Sequence, residues 1–190
     1  MQTHFIIRTD GFLKYCNECG SELSYRIPRG DDRRRFICDA CKIVHYENPK
    51  MVVGCIPEMD DRILLCRRAI RPQYGKWTIP AGYLENNETM EAGAKRETFE
   101  EAGAKVEALE PFGLYNLTYV NQVYLIFRGR LINEHFAAGD ESLEASLFRE
   151  EEIPWSELAF SVIRETLYAY FKDRLNGIFS FHMGDIQSGS

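Results

Sequence analysis

The chain has 190 residues, 45% hydrophobic and 27% charged, with a formal net charge of -6. That composition belongs to an ordinary soluble globular protein, long enough for one medium domain or for one domain with a small appendage. The acidic balance excludes a surface that binds polyanions throughout, and no run of eighteen apolar residues supplies a transmembrane helix, so a membrane partner is not expected.

In chain order, the opening stretch MQTHFIIRTDGFLKY has neither a basic lead nor a small-residue cleavage site, so it does not read as a signal peptide. The six cysteines are therefore expected in a reducing, cytoplasmic setting, where paired cysteines hold metal more readily than they form disulfides. Cys16-x2-Cys19 and Cys38-x2-Cys41 are separated by eighteen residues. Two such knuckles close a tetrahedral four-thiolate Zn2+ site with no open position, so its role is structural. Between them, residues 29–35 (RGDDRRR) offer cations but no interleaved aromatic, and read as a solvated hairpin tip; nucleic acid is not the expected partner.

Asn48-Pro49 marks a junction, because the residue before proline leaves helical geometry. The expected organisation is a ribbon over 1–48, a larger domain over 49–183 and a flexible tail over 184–190. Residues 51–57 (MVVGCIP) and 62–68 (RILLCRR) read as strands of a hairpin turned at Asp60-Asp61, with Cys55 and Cys66 as buried thiols. Residues 88–102 read as a helix capped by Asn86-Asn87 and stopped by Gly103. Strand-like runs follow at 105–119, 122–131 and 145–148, and residues 160–171 read as an amphipathic helix.

The 23-residue run from Gly82 to Ala104 carries the chemistry. On a helix, Glu97 and Glu101 lie about 40° apart and roughly 6 Å along the axis, with Glu100 on the adjacent row. Such a face is unfavourable unless a cation sits on it. Mg2+ or Mn2+ suits carboxylate oxygens and keeps waters that phosphate oxygens displace. Gly82 stands at the loop entry, where backbone approaches a metal, and Arg96 is placed to pair with Glu88. Gly93, inside the helix, has no role evident from the sequence.

This run resembles the signature of the Nudix hydrolase family, G-x5-E-x7-R-E-U-x-E-E-x-G-U, where U is bulky and aliphatic. Every fixed Gly, Glu and Arg is present, and Thr98 and Ala104 depart from the pattern at the aliphatic positions. The resemblance, over residues 51–171, implies a mixed-sheet α/β/α sandwich after the zinc ribbon, and metal-dependent hydrolysis of a nucleoside diphosphate derivative at its pyrophosphate. It implies Gly82, Glu97, Glu100 and Glu101 as the Mg2+ site, with Arg96 and Glu88 as a structural pair. Family members add a carboxylate from a later loop. Here Glu141-Ser142-Leu143-Glu144 is the candidate stretch and Glu144 the preferred residue, so that Glu100 or Glu144 takes the water's proton.

Ribbon-bearing members include NADH pyrophosphatases, whose S-Q-P-W-P-F-P-x-S motif has no counterpart in EPFGLYNLTYVNQVY here. The segments YENPK, VVGCIP and GKWTIPAGYLENNET look like ribbon-bearing relatives of plant enzymes acting on FAD and ADP-ribose. Thr118 and Tyr119 stand where many ADP-ribose enzymes place proline, which makes FAD the first expectation and ADP-ribose or NADH its neighbours. Arg68 and Glu85 are candidate substrate contacts, and Tyr83, Tyr115 and Tyr119 are candidates for stacking on a flavin or adenine. Family habit implies a homodimer. The competing reading is a nucleic-acid-binding or regulatory ribbon protein with a ligand-sensing Nudix domain. Such sensors lose box glutamates that this chain keeps.

Overall fold

The computed structural model describes residues 13–132 and 135–187. The leader reading of the first residues and the last three residues of the expected tail therefore lie outside the described residues. Contacts divide the chain into two compact units, Met1–Pro49 and Lys50–Ser190.

The first unit is a three-stranded antiparallel sheet of β1 (Leu23–Arg26), β2 (Arg35–Cys38) and β3 (Val44–His45). Its two knuckles fold alike. Gly20 N–H donates to Cys16 O at 2.9 Å and Lys42 N–H to Cys38 O at 2.8 Å, with Gly20 and Lys42 both left-handed at φ 73 and 64. The cysteine spacing is thus expressed as the same turn twice, once with the glycine that such a turn favours and once with lysine.

The second unit holds an eight-stranded mixed sheet. Its elements are β4 (Lys50–Met59), β5 (Arg62–Arg68), β6 (Trp77–Thr78), β7 (Ala81–Tyr83), β8 (Val106–Leu117), β9 (Gln122–Leu131), β10 (Ser142–Phe148) and β11 (His182–Asp185). The helices are α1 (Met90–Ala102) and α2 (Ser161–Asn176). The strand order is β10-β5-β4-β9-β8-β11, with β6 on β5 and β7 on β4. β4–β9 and β8–β11 are parallel pairs.

Side-chain alternation along the central strands builds both layers. Val52, Ile56, Ile63, Leu65 and Ile126 share one cluster with Val162, Ile163, Leu167 and Tyr170 of α2. The intervening residues pack on the α1 side, Val53, Leu125 and Phe127 with Ala94, and Cys55, Leu64 and Cys66 with Ala102 and Ala104. A helix therefore covers each face, giving the expected α/β/α sandwich. Both departures from the aliphatic signature are packing positions. Ala104 is fully buried, as is Thr98, whose hydroxyl is satisfied by Ala94 O at 2.7 Å.

Two elements differ from the sequence reading. The β4–β5 hairpin pairs only at its tip, Glu58↔Ile63 and Met59↔Arg62. Beyond the tip the strands part, and β6 and β7 enter between them, pairing Cys66↔Thr78 and Val53↔Gly82. This brings Gly82 to the strand on which α1 packs. The expected flexible tail from Gly184 is also corrected: residues 182–185 form β11 on β8, and Ile186 is buried. Its parallel pairing and that apolar anchor were not apparent in so short a polar segment. No described helix is long and apolar enough to cross a membrane.

Candidate active site

The acidic helix begins at Thr89, whose hydroxyl accepts the Ala92 N–H at 3.1 Å. Thr89, not the expected Asn86-Asn87, is therefore the cap, and Asn87 takes a left-handed turn conformation at φ 67 that asparagine tolerates. The helix stops at Gly103, φ 60, whose N–H donates to Phe99 O at 2.7 Å. In its last turns Glu101 is buried, Glu97 largely so, and the Glu100 side chain is 56% exposed.

β7 lies directly against these carboxylates. A Cβ on Gly82 would fall 2.3–2.4 Å from the Glu97 carboxyl, so the glycine lets strand and glutamate meet with the carboxyl where it stands. The neighbouring Ala81 N–H donates to Glu101 Oε2 at 3.2 Å. The expected Arg96–Glu88 pair is present and two-pronged, Nε to Oε2 at 3.1 Å and Nη2 to Oε1 at 2.8 Å, and Nη2 also donates to Tyr83 O at 3.0 Å. Nη1 reaches Glu97 at 2.7 Å and Glu100 at 2.8 Å. Gly93 now has a reason. A Cβ there would lie 2.8 Å from Glu88 Oε1 and 2.9 Å from Val53 Cγ2, where the loop, helix and sheet converge.

Burial pushes the Glu101 carboxyl up to about 8, the Ala81 N–H and Arg68 working against it and the charges of Glu97 and Glu141 with it. Burial likewise raises Glu97, opposed by Arg96 and reinforced by Glu100 and Glu141. The Arg96 hydrogen bonds hold Glu88 below the usual carboxylate range. Each shift is first of all a desolvation effect: burial disfavours the charged carboxylate. An all-oxygen donor set of this kind fits Mg2+ or Mn2+. Among the described residues, however, the tight cluster of ligand atoms is the cysteine one. The glutamate oxygens are drawn instead to Arg96, which holds Glu97 and Glu100 from one nitrogen.

The structure divides the remaining candidates. Glu144 lies exposed on β10 and accepts a hydrogen bond from Ser146 at 2.9 Å. Glu141 is the member of that stretch whose charge bears on Glu97 and Glu101. In this segment Ser142 opposes Arg68, the ladder shifts between Ser142 and Glu144, and Ala69 N–H donates to Glu141 O at 2.8 Å. Arg68 acts electrostatically on Glu101 and Tyr124. Its guanidinium sits 5.2 Å from the Phe160 ring centre, and its Nε donates to Pro72 O at 3.0 Å. Glu85 serves the loop through its backbone, donating to Glu88 at 2.7 Å, while its side chain points to solvent. Tyr115 belongs to the buried core, which removes it from the stacking candidates. Tyr83 is 47% exposed, with Lys50 over its ring and Gln122 on its hydroxyl, and Tyr119 is partly buried.

In the first unit the sulfurs of Cys16, Cys19, Cys38 and Cys41 all lie within 4.8 Å of one another, with Cys16–Cys41 at 3.6 Å and Cys19–Cys38 at 3.4 Å. Four sulfurs each ~2.3 Å from one zinc are about 3.8 Å apart, so the cluster fits the ion. Hydrogen bonds from Ser21, its hydroxyl first and then its N–H, bring the Cys19 thiol down to about 6, favouring the thiolate a metal needs. At the hairpin tip Arg35 is paired with Asp31 at 3.1 Å, which neutralises part of the arginine run.

Two family models match the chain. The NUDIX domain model covers residues 48–171, and the zinc-ribbon model described as Nudix N-terminal covers residues 14–47. A solved NUDIX hydrolase from Nitrosomonas europaea is similar at TM-score 0.90 and 50% identity, over 93% of this chain and 100% of that one. The Escherichia coli NAD-capped RNA hydrolase NudC is 30% identical over 150 residues, 74% of this chain and 53% of that protein. A MutT-like protein of Streptomyces ambofaciens is 36% identical over 102 residues, 54% of this chain and 64% of that protein. The chain thus spans less than two thirds of the length of these curated relatives.

Proposed function

The chain belongs to the Nudix family, and from that premise we propose that it hydrolyses the pyrophosphate bridge of a nucleoside diphosphate derivative with Mg2+ or Mn2+. FAD is the first substrate, with ADP-ribose and NADH as neighbours, and the products are AMP and a second monophosphate. One observation carries this reading: β7 lies against two glutamates of α1, Gly82 beside Glu97 and Ala81 N–H on Glu101, where burial disfavours the charged form of both carboxyls.

Glu97, Glu101 and Glu100, with the Gly82 backbone, would hold the metal. When bound, it supplies charge neutralisation on phosphate oxygens and a more acidic attacking water. Arg96 keeps the glutamates on one side of the loop through Glu88. Glu100, exposed at the helix end, or Glu141, from the loop before β10, accepts the water's proton. Arg68, held against Phe160, meets a substrate phosphate. Tyr83 offers an exposed ring to a base or flavin. The ribbon holds Zn2+ and takes no part in the chemistry.

Incubation with FAD and Mg2+ should release FMN and AMP, with NADH, ADP-ribose and NAD-capped RNA run in parallel to assign the substrate. Glu100→Gln and Glu101→Gln should each lower kcat by at least about 100-fold while circular dichroism stays unchanged. Turnover unaffected in both variants would sink the mechanism. Hydrolysis of another member of the panel with FAD inert would replace the substrate and leave the mechanism standing.

A further inference from the structure

The loop ahead of β10 does more than connect strands. The end of α1 leaves carbonyls without partners inside the helix. Residues 137–139 supply two donors, Ala137 N–H to Ala102 O at 2.8 Å and Gly139 N–H to Glu101 O at 3.0 Å. The approach is close because residue 139 is glycine. A Cβ there would lie 1.7 Å from the Glu100 carbonyl oxygen and 2.9 Å from its carbon. Both obstructing atoms are helix backbone, so no side chain can swing aside. Immediately afterwards Ser142 N–H donates to Gly139 O at 3.0 Å, reversing the chain within three residues, and Ala69 N–H donates to Glu141 O at 2.8 Å. Glu141 is thus held between a clamp on the helix that carries the box and an anchor at the end of β5.

We propose that Gly139 is a positioning residue for hydrolysis: its missing side chain lets the loop seat on the last turn of α1 and sets Glu141 beside Glu97 and Glu101. The proposal rests on the hydrolase reading above. Any side chain at 139 must lift the loop from the helix, and with it the Glu141 carboxylate. A displacement of about 1 Å at a reacting group is enough to cost on the order of 100-fold in rate. The glutamates of α1, held by β7 and Arg96, keep their places.

The test compares Gly139→Ala, Glu141→Gln and the double variant in the full-length, zinc-loaded protein with Mg2+, using whichever of FAD, NADH, ADP-ribose or NAD-capped RNA the wild type hydrolyses. Gly139→Ala should lower kcat at least about 10-fold with KM within about 3-fold. The double variant should be no worse than Glu141→Gln alone, because both act through one carboxylate. If circular dichroism shows Gly139→Ala unfolded, Ala137→Pro, which deletes the neighbouring N–H donor, takes its place with the same readout. Losses that multiply in the double variant would make Gly139 a general support of the helix and overturn the proposal. A wild-type kcat in the single variant would also overturn it while leaving the hydrolase reading intact. No wild-type turnover of FAD, NADH, ADP-ribose or NAD-capped RNA would overturn both.

Discussion

In the ribbon, all four ligand atoms come from two turns of one kind, each spanning four residues, and the sulfurs are already gathered within 4.8 Å. On α1 the carboxylates come from one helix, but their surroundings come from elsewhere: the β7 backbone, Glu88 bonded across the loop to Arg96, and the charge of Glu141 from before β10. The ribbon fits a soft ion in a closed shell, whereas the helix face is open, partly solvated and stocked with hard oxygens. Local geometry suffices where a site only has to hold an ion. On the helix face the groups are gathered from several segments of the fold, and Arg96 Nη1 bonds both Glu97 and Glu100.

If the two regions are as independent as this contrast implies, breaking the ribbon should have the largest effect on metal content and little on chemistry. Cys38→Ser should reduce bound zinc from about one per chain to none, because three thiolates do not complete the shell. Turnover should stay within a few-fold of wild type, since every box residue lies in the second unit. Zinc analysis beside an activity assay reads both, and a variant that keeps its second-unit fold but loses turnover would break the contrast.

A second effect sharpens the open site's dependence on a cation. Glu101 is raised in the folded protein to about 8. Between the ordinary carboxylate range and that value the folded state binds more protons than the unfolded one, so stability falls as pH rises through the window. In magnesium-free buffer, with zinc retained, Tm should drop by roughly 5 °C or more between pH 5.5 and 8. Added Mg2+ should restore it mainly at the upper end. Glu101→Gln should flatten the curve and remove most of the Mg2+ response. A wild-type Tm equal at both pH values would mean that the buried carboxyl is compensated without metal.

The smallest effect concerns the glycine inside the helix. Alanine at an exposed helical position gains about 1 kcal/mol over glycine. At Gly93 the added methyl meets Glu88 and Val53 inside 3 Å, and overpacking of this kind costs typically 1–3 kcal/mol. Gly93→Ala should therefore lower Tm by about 2–4 °C. A rise in Tm would show that the loop yields easily and is not a rigid part of the open site.

Some of this was legible from residues alone and some was not, and the division follows the range of the interactions. The strands at 62–68 and 122–131 show in their apolar runs, and the helix over the acidic segment shows in its periodicity and its stopping glycine. The cap was misread because Asn86-Asn87 and Thr89 are all cap-type residues, and only the Ala92 hydrogen bond distinguishes Thr89. The last strand begins at Ser142, three residues before the expected start, and the register shift there is a property of two strands rather than of one. Tyr115 looked available for stacking until the core closed over it.

By itself, the sequence determined the cysteine knuckles and the acidic helix face, because each is written in spacings that one turn or one helix turns directly into geometry. It also determined the fold class through periodicity and the signature run. Only the tertiary structure decided that β4 and β5 part to admit β7, and that backbone or side chains from distant segments press on Gly82, Gly93 and Gly139. Those outcomes depend on contacts between residues far apart in the chain, where shape and register, absent from any single segment, select which groups meet.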